Sequence, residues 1–238
     1  MKRFVLFFAT LWLGVMGASA QRYHYDVNND GSVNITDATL VVNKVLGKDN
    51  PGDPGNVGGG EAVDLGLLSG TKWASFNIGA TSPEQYGEYF AWGELGEKQK
   101  YTENNYQFYV NGEYMDLGTD IGGTKYDVAR MRWGGDWRMP TEDEYQELID
   151  NCTYEWTTYQ GVAGGKFTSK KNGNSIFLPA AGYRWDSDLR NAGSWGDYWS
   201  STLNGDTPYY AYDLYFSSGN AYWGSSRRYF GHSVRPVR

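Results

Sequence analysis

Residues 26–37 read Asp-Val-Asn-Asn-Asp-Gly-Ser-Val-Asn-Ile-Thr-Asp. Asp26, Asn28, Asp30, Asn34 and Asp37 put side-chain oxygens at loop positions 1, 3, 5, 9 and 12, and the Ser32 carbonyl falls at position 7. A hard cation such as Ca2+ takes about six to eight oxygen ligands from a short loop, with a glycine at position 6 where the chain turns sharply. Gly31 stands there. Position 12 is Asp37 where Glu is the usual residue, and the spacing still names Asp26, Asn28, Asp30, Ser32 and Asp37 as metal ligands. A polar turn rich in Asn and Asp would need no such twelve-position agreement.

A second constellation is aromatic. After Tyr183, Tyr and Trp interleave with Ser, Asn, Gly and Asp. Rigid aromatics beside small polar residues supply contact area at low entropic cost and stack on sugar rings as well as on protein. Trp185, Asn191, Trp195, Asp197, Tyr198, Tyr209, Tyr215, Tyr222, Trp223, Ser225, Ser226 and Tyr229 are therefore the candidate ligand-binding residues, for a glycan or a protein ligand. A patch that demands a partner requires at least about three of Trp185, Trp195, Tyr198, Tyr209, Tyr222, Trp223 and Tyr229 exposed on one face.

Other chemistries lack their residues. One Cys forms no internal disulfide and no Cys-based zinc site, and two His leave little for acid–base work near neutral pH. No G-x-S-x-G elbow, HExxH helix or phosphate-binding Gly-Lys-Ser/Thr loop occurs, so no catalytic residue is assigned and the chain reads as non-enzymatic. A net charge of -7 argues against general nucleic-acid binding, which needs clustered Lys and Arg.

Four segments must position these residues. Residues 1–20 carry Lys2 and Arg3, an apolar run from Phe4 to Met16 and the small-residue site Ala18-Ser19-Ala20, the pattern of a secretory signal peptide. The run is too short for a membrane span, so the expected location is secreted or cell-surface. Residues 21–47 hold the loop and an apolar helix, Ala38 to Leu46. Residues 48–60, KDNPGDPGNVGGG, are a Gly/Pro linker. Residues 61–238 form one α+β domain. Its strands are expected around 72–78, 86–92, 166–168, 175–178, 198–201, 210–216 and 234–237. Tyr212, Leu214 and Phe216 are expected to point inward by their period of two. Asn172-Gly173 supplies positive φ to a hairpin turn. Thr141 and Glu144 make a capping box for a helix to about Asn151, with Cys152 as a small buried hydrophobe at its end, and a weaker helix covers 125–131.

The loop pattern, together with its following helix, resembles the calcium segment of dockerin modules. That resemblance implies bound Ca2+ and a cohesin-like or other surface protein as partner; a full dockerin pairs two such segments and this chain has one. In the larger domain, Trp137-Arg138-Met139-Pro140-Thr141, Leu178-Pro179-Ala180-Ala181-Gly182, Tyr198-Trp199-Ser200-Ser201-Thr202 and Ser233-Val234-Arg235-Pro236-Val237-Arg238 together resemble the Fibrobacter succinogenes major paralogous domain. The resemblance implies a C-type-lectin-like fold with short twisted strands, two helices and long loops, shared with formylglycine-generating enzymes. Read by themselves, these phrases are scaffold: aromatics beside Gly and Pro pack, and Arg138 and Arg235 bridge carboxylates or carbonyls. The closing segment also resembles the variable tail of C-type-lectin-like targets of diversity-generating retroelements. The formylglycine-generating branch needs a Cys pair that Cys152 alone cannot supply. The calcium-bridged sugar motifs of C-type lectins are absent too, apart from a partial echo in Trp195-Gly196-Asp197.

Overall fold

The computed structural model describes residues 60–238. The calcium loop, its helix, the leader and almost all of the linker lie outside the described residues, and with them Asp26, Asn28, Asp30, Ser32 and Asp37.

Two strands open the domain, β1 (Ala62–Asp64) and β2 (Lys72–Ala74), paired antiparallel. Residues 86–92, expected as a strand, form none. The Glu88, Phe90 and Trp92 amides donate to three separated carbonyls, of Ile78, His232 and Arg228, so no continuous ladder forms. Side chains hold this stretch instead: the Tyr106 hydroxyl donates to the Trp92 carbonyl at 2.6 Å and the Tyr101 hydroxyl to the Tyr89 carbonyl at 2.6 Å. A small hairpin follows, β3 (Tyr109–Val110) with β4 (Glu113–Tyr114).

Helix α1 (Val128–Trp133) starts later than the sequence indicated because Asp127 caps it, accepting from the Ala129 and Arg130 amides. The same carboxylate accepts from the Met139 amide at 2.9 Å and so anchors the Trp137–Thr141 phrase. Helix α2 (Glu142–Asn151) has the expected capping box between Thr141 and Glu144. Burial alone would raise the Glu144 pKa, but hydrogen bonds from Arg138, Thr71 and Thr141 outweigh it and hold the carboxylate below its usual range. The Arg138 guanidinium grips both Glu144 oxygens at 2.6 Å. Cys152 is buried where α2 meets the next strand, and burial pushes its thiol up to about 11.

Strands β5 (Cys152–Tyr159), β6 (Val162–Ser169) and β7 (Ser175–Pro179) form an antiparallel sheet in that order. The sequence reading missed β5. Its signal was the two-residue Gln160-Gly161 loop, with φ of 50° and 83°, the double positive-φ turn that matches the twist of a tight hairpin. Between β6 and β7 only Gly173 has positive φ, and Asn172 turns its side-chain amide to the Asp64 carbonyl at 2.9 Å. Next come β8 (Tyr183–Trp185) paired with β9 (Asp188–Arg190), and then the sheet β10 (Gly196–Leu203), β11 (Tyr210–Phe216) and β12 (Ala221–Arg227), with β11 central.

Residues 234–237 are not a strand. Pro236 has no amide to donate, and isolated bridges join Val237 to Trp73 and Arg138. Arg235 is fully buried, donating to Asn77 Oδ1 at 2.8 Å and to the Ala74 and Phe177 carbonyls at 3.0 Å each. The described residues have two apolar clusters, and the β10–β11 ladder contributes to both. Tyr198, Leu214 and Phe216 join Trp73, Tyr145 and Phe167, whereas Trp199 and Ala211 join Trp92, Trp137 and Val234. Among the described residues no helix is long and apolar enough to cross a membrane.

Candidate functional site

Alternation along β10–β12 sorts the side chains. Tyr198 pairs with Leu214 and Leu214 with Trp223, so these share one face. Asp197 pairs with Tyr215, Tyr215 with Tyr222, and Trp199 with Asp213, which puts this second set on the other face. Because β11 is central and packed on both sides, the inward set expected there is incomplete. Leu214 and Phe216 are buried and Tyr212 is half-exposed, while Ala211 and Asp213 are buried from the opposite face.

Five of the seven aromatics named from the sequence are exposed: Trp185, Trp195, Tyr209, Tyr222 and Trp223. Tyr198 and Tyr229 leave the set. Tyr198 is core, its hydroxyl donating to the Pro179 carbonyl at 2.7 Å and its ring stacked on Phe216. Tyr229 packs edge-on against Phe230 and is buried. Asp197 is likewise buried and cannot meet a ligand at the surface.

The exposed five do not make one contiguous face. Trp195 packs edge-on against Tyr215 with centroids 5.3 Å apart, and Tyr215 against Tyr222 at 4.8 Å. Trp223 projects from the opposite side of β12, edge-on to Tyr212, with its indole N–H donating to Gln146 Oε1 at 2.6 Å. Tyr209 joins Tyr114 and Tyr210. Trp185 packs on Phe230, with the Arg190 guanidinium 4.0 Å above its ring. The broad recognition face thus divides: of the seven only Trp195 and Tyr222 share a face, short of the three a partner-demanding patch requires, and the largest run on the sheet, Trp195, Tyr215 and Tyr222, is completed by the half-buried Tyr215.

Local chemistry explains why Trp195 stands out. Asn191 adopts the left-handed conformation at φ 56°, and its carbonyl accepts from the Ser194 and Trp195 amides. Asn191 therefore shapes the turn that presents Trp195. Ser225 is exposed opposite Tyr212 in the register, whereas Ser226 is half-buried on the Asp213 side of the sheet.

On the same face as this rim, but buried, lies a group whose convergence no local sequence pattern signals. Asp197, Asp213 and His232 are buried, and one ligand-type atom from each lies within 4.8 Å of the others. Burial pushes Asp197 up to about 8, with the Asp213 charge adding to it. Burial also carries Asp213 to about 7, against the Ser226 hydroxyl and Gly224 amide that pull it down, and it drives His232 to about 3. The imidazole stacks on Trp199 at 4.0 Å and 15°. The available signal was Asp213 itself, a charged residue inside the apolar run Tyr210–Phe216. Elsewhere, a groove of about 400 Å³ has Tyr159, Lys166 and Phe177 in its wall and none of the candidate ligand-binding residues.

Fold and site define a class first: an α+β domain of small antiparallel sheets and long loops, displaying aromatic side chains over a packed scaffold. The chain belongs to the Lcl C-terminal domain family, whose model matches residues 99–238. Residues 24–65 match the dockerin type I domain. No curated protein and no solved structure gives a significant match.

Proposed function

We propose that this chain is a secreted or surface-displayed, non-enzymatic binding protein that holds a glycan or protein ligand on Trp195, Tyr215 and Tyr222. The observation that carries this reading is the contiguous run of those three rings, two of them exposed, on a turn and two strands of one rigid sheet. A run of this size suits the stacking of one or two sugar rings better than a large protein interface, which buries about 800 Å² per partner. The C-type-lectin-like fold and the resemblance to the Fibrobacter paralogous domain and to retroelement-diversified display scaffolds belong to the same reading. Short antiparallel sheets, two helices and long loops support them.

The test is a glycan array with the full chain. Trp195→Ala or Tyr222→Ala is expected to weaken binding about 30-fold, equivalent to about 2 kcal/mol, with a melting temperature within a degree or two of the parent. Trp223→Ala, on the other side of β12, is expected to leave binding unchanged. Parent-like binding by both of the first two variants would remove the face from the reading.

The dockerin match favours a second role, docking of the whole chain onto another surface protein, cohesin-like or otherwise, through the N-terminal segment. The donor set of residues 26–37, five oxygen side chains and one carbonyl, fits Ca2+ by its chemistry. Calorimetry on the full chain is expected to give calcium binding in the roughly micromolar to millimolar range of extracellular modules. Asp26→Ala or Asp37→Ala should abolish it while leaving the unfolding of residues 61–238 unmoved. Absence of any calcium heat rejects this role for the loop.

A further inference from the structure

We infer that Asp197, Asp213 and His232 bind a divalent first-row transition ion, for which Zn2+ is the natural probe. The three come from β10, β11 and the segment after β12, and one ligand-type atom from each lies within 4.8 Å of the other two. All are more than nine-tenths buried. Asp197 Oδ2 and both His232 ring nitrogens have no hydrogen-bond partner. Buried polar atoms are normally paired, so the unpartnered Asp197 Oδ2 and His232 Nδ1, close to Asp213 Oδ2, mark a missing occupant, while Nε2 points away from it.

The spacing suits an ion better than a direct contact. His232 Nδ1 stands 3.6 Å from Asp213 Oδ2, which is too long for a hydrogen bond. Two ligands at about 2.0–2.2 Å from one tetrahedral ion are held about 3.5 Å apart, which matches this separation. Charge agrees as well. Among the described residues no Lys or Arg pairs with either carboxylate, and two carboxylates with a neutral imidazole balance a dication. Mixed imidazole and carboxylate donors favour a zinc-type ion over an oxygen-only cation. The ion would tie β10 and β11 to the C-terminal segment beside Tyr215, the ladder partner of Asp197, stiffening the sheet that carries the aromatic rim.

The experiment uses the full chain carrying Asp26→Ala, so that the calcium loop contributes no complete ligand set. The protein is stripped with chelator, incubated with Zn2+ or Co2+, desalted and assayed for metal. One Zn2+ per chain is expected, with a visible Co2+ absorption spectrum and a rise in melting temperature that EDTA reverses. His232→Gln should weaken retention by about 100-fold or more. His24→Gln, the other imidazole of the chain, should leave it unchanged. Asp197→Asn serves as the second variant if His232→Gln loses its near-ultraviolet circular dichroism. No uptake of either metal by the parent overturns the assignment, as does uptake indifferent to both His232→Gln and Asp197→Asn or lost with His24→Gln.

Discussion

Arg235→Met is expected to destabilise the domain by about 4 kcal/mol, read as a lowered midpoint in chemical denaturation monitored by tryptophan fluorescence. Two effects oppose each other here. Removing a buried cation relieves its desolvation, which has already drawn the guanidinium pKa down to about 10. Against this, Asn77 Oδ1 and the Ala74 and Phe177 carbonyls all lose a donor in a place water does not reach. Each orphaned acceptor costs about 1–3 kcal/mol, so three of them outweigh the relief. Arg235→Lys should fall between, because a compact ammonium on a flexible stem cannot reproduce the planar fork that spans three separate segments. A loss under about 1 kcal/mol for Arg235→Met would falsify the view that this side chain is the clasp between β2, β7 and the C-terminal segment.

Gly182→Ala is expected to be nearly as damaging, at about 3–5 kcal/mol. Gly182 has φ of 60°, and a Cβ there would stand 2.0 Å from the Arg190 carbonyl oxygen and 2.6 Å from the Ala192 amide nitrogen. The backbone conformation costs about 1–2 kcal/mol with a side chain, and forcing two backbone segments apart adds at least as much again. The displaced segment is the turn that presents Trp195, whose carbonyl accepts from the Gly182 amide at 2.8 Å. Ligand binding on the aromatic run should therefore fall along with stability. Gly193→Ala is the control: its φ is 81° but nothing lies within 4 Å of the added methyl, so only about 1–2 kcal/mol is expected. Equal losses at the two glycines, measured by thermal and chemical unfolding, would show that the conformational cost dominates and that the close approach at Gly182 is unimportant.

The features legible in the sequence are those written within a few neighbouring residues. Thr141 and Glu144 cap α2 through bonds three residues apart, and β11 runs from Tyr210 to Phe216 as its alternation indicates. The oxygen spacing of residues 26–37 is equally local. Elements whose backbone partners are distant were misread. Residues 86–92 and 234–237 have strand-like composition, yet their backbone groups are shared among separate segments, Ile78, His232 and Arg228 for the first and Ile78, Ala74 and Arg138 for the second.

Exposure of the aromatics was decided by the tertiary structure alone. Tyr198 and Tyr222 are the same residue type and each precedes a Trp, but β10 is covered on its outer side by the segments of Gly182 and Ser233, whereas Tyr222 stands exposed on the opposite flanking strand β12. Which flanking strand is covered depends on long-range packing, and no local pattern encodes it. The same holds for Asp197, Asp213 and His232, which are spread along the chain and converge only when β10, β11 and the C-terminal segment come together. Sequence by itself determined the caps, the turns and the oxygen ligands, because covalent proximity alone brings those groups within hydrogen-bonding or coordinating reach. Only long-range packing could choose the buried faces and gather the three polar groups, because it fixes which surfaces water leaves.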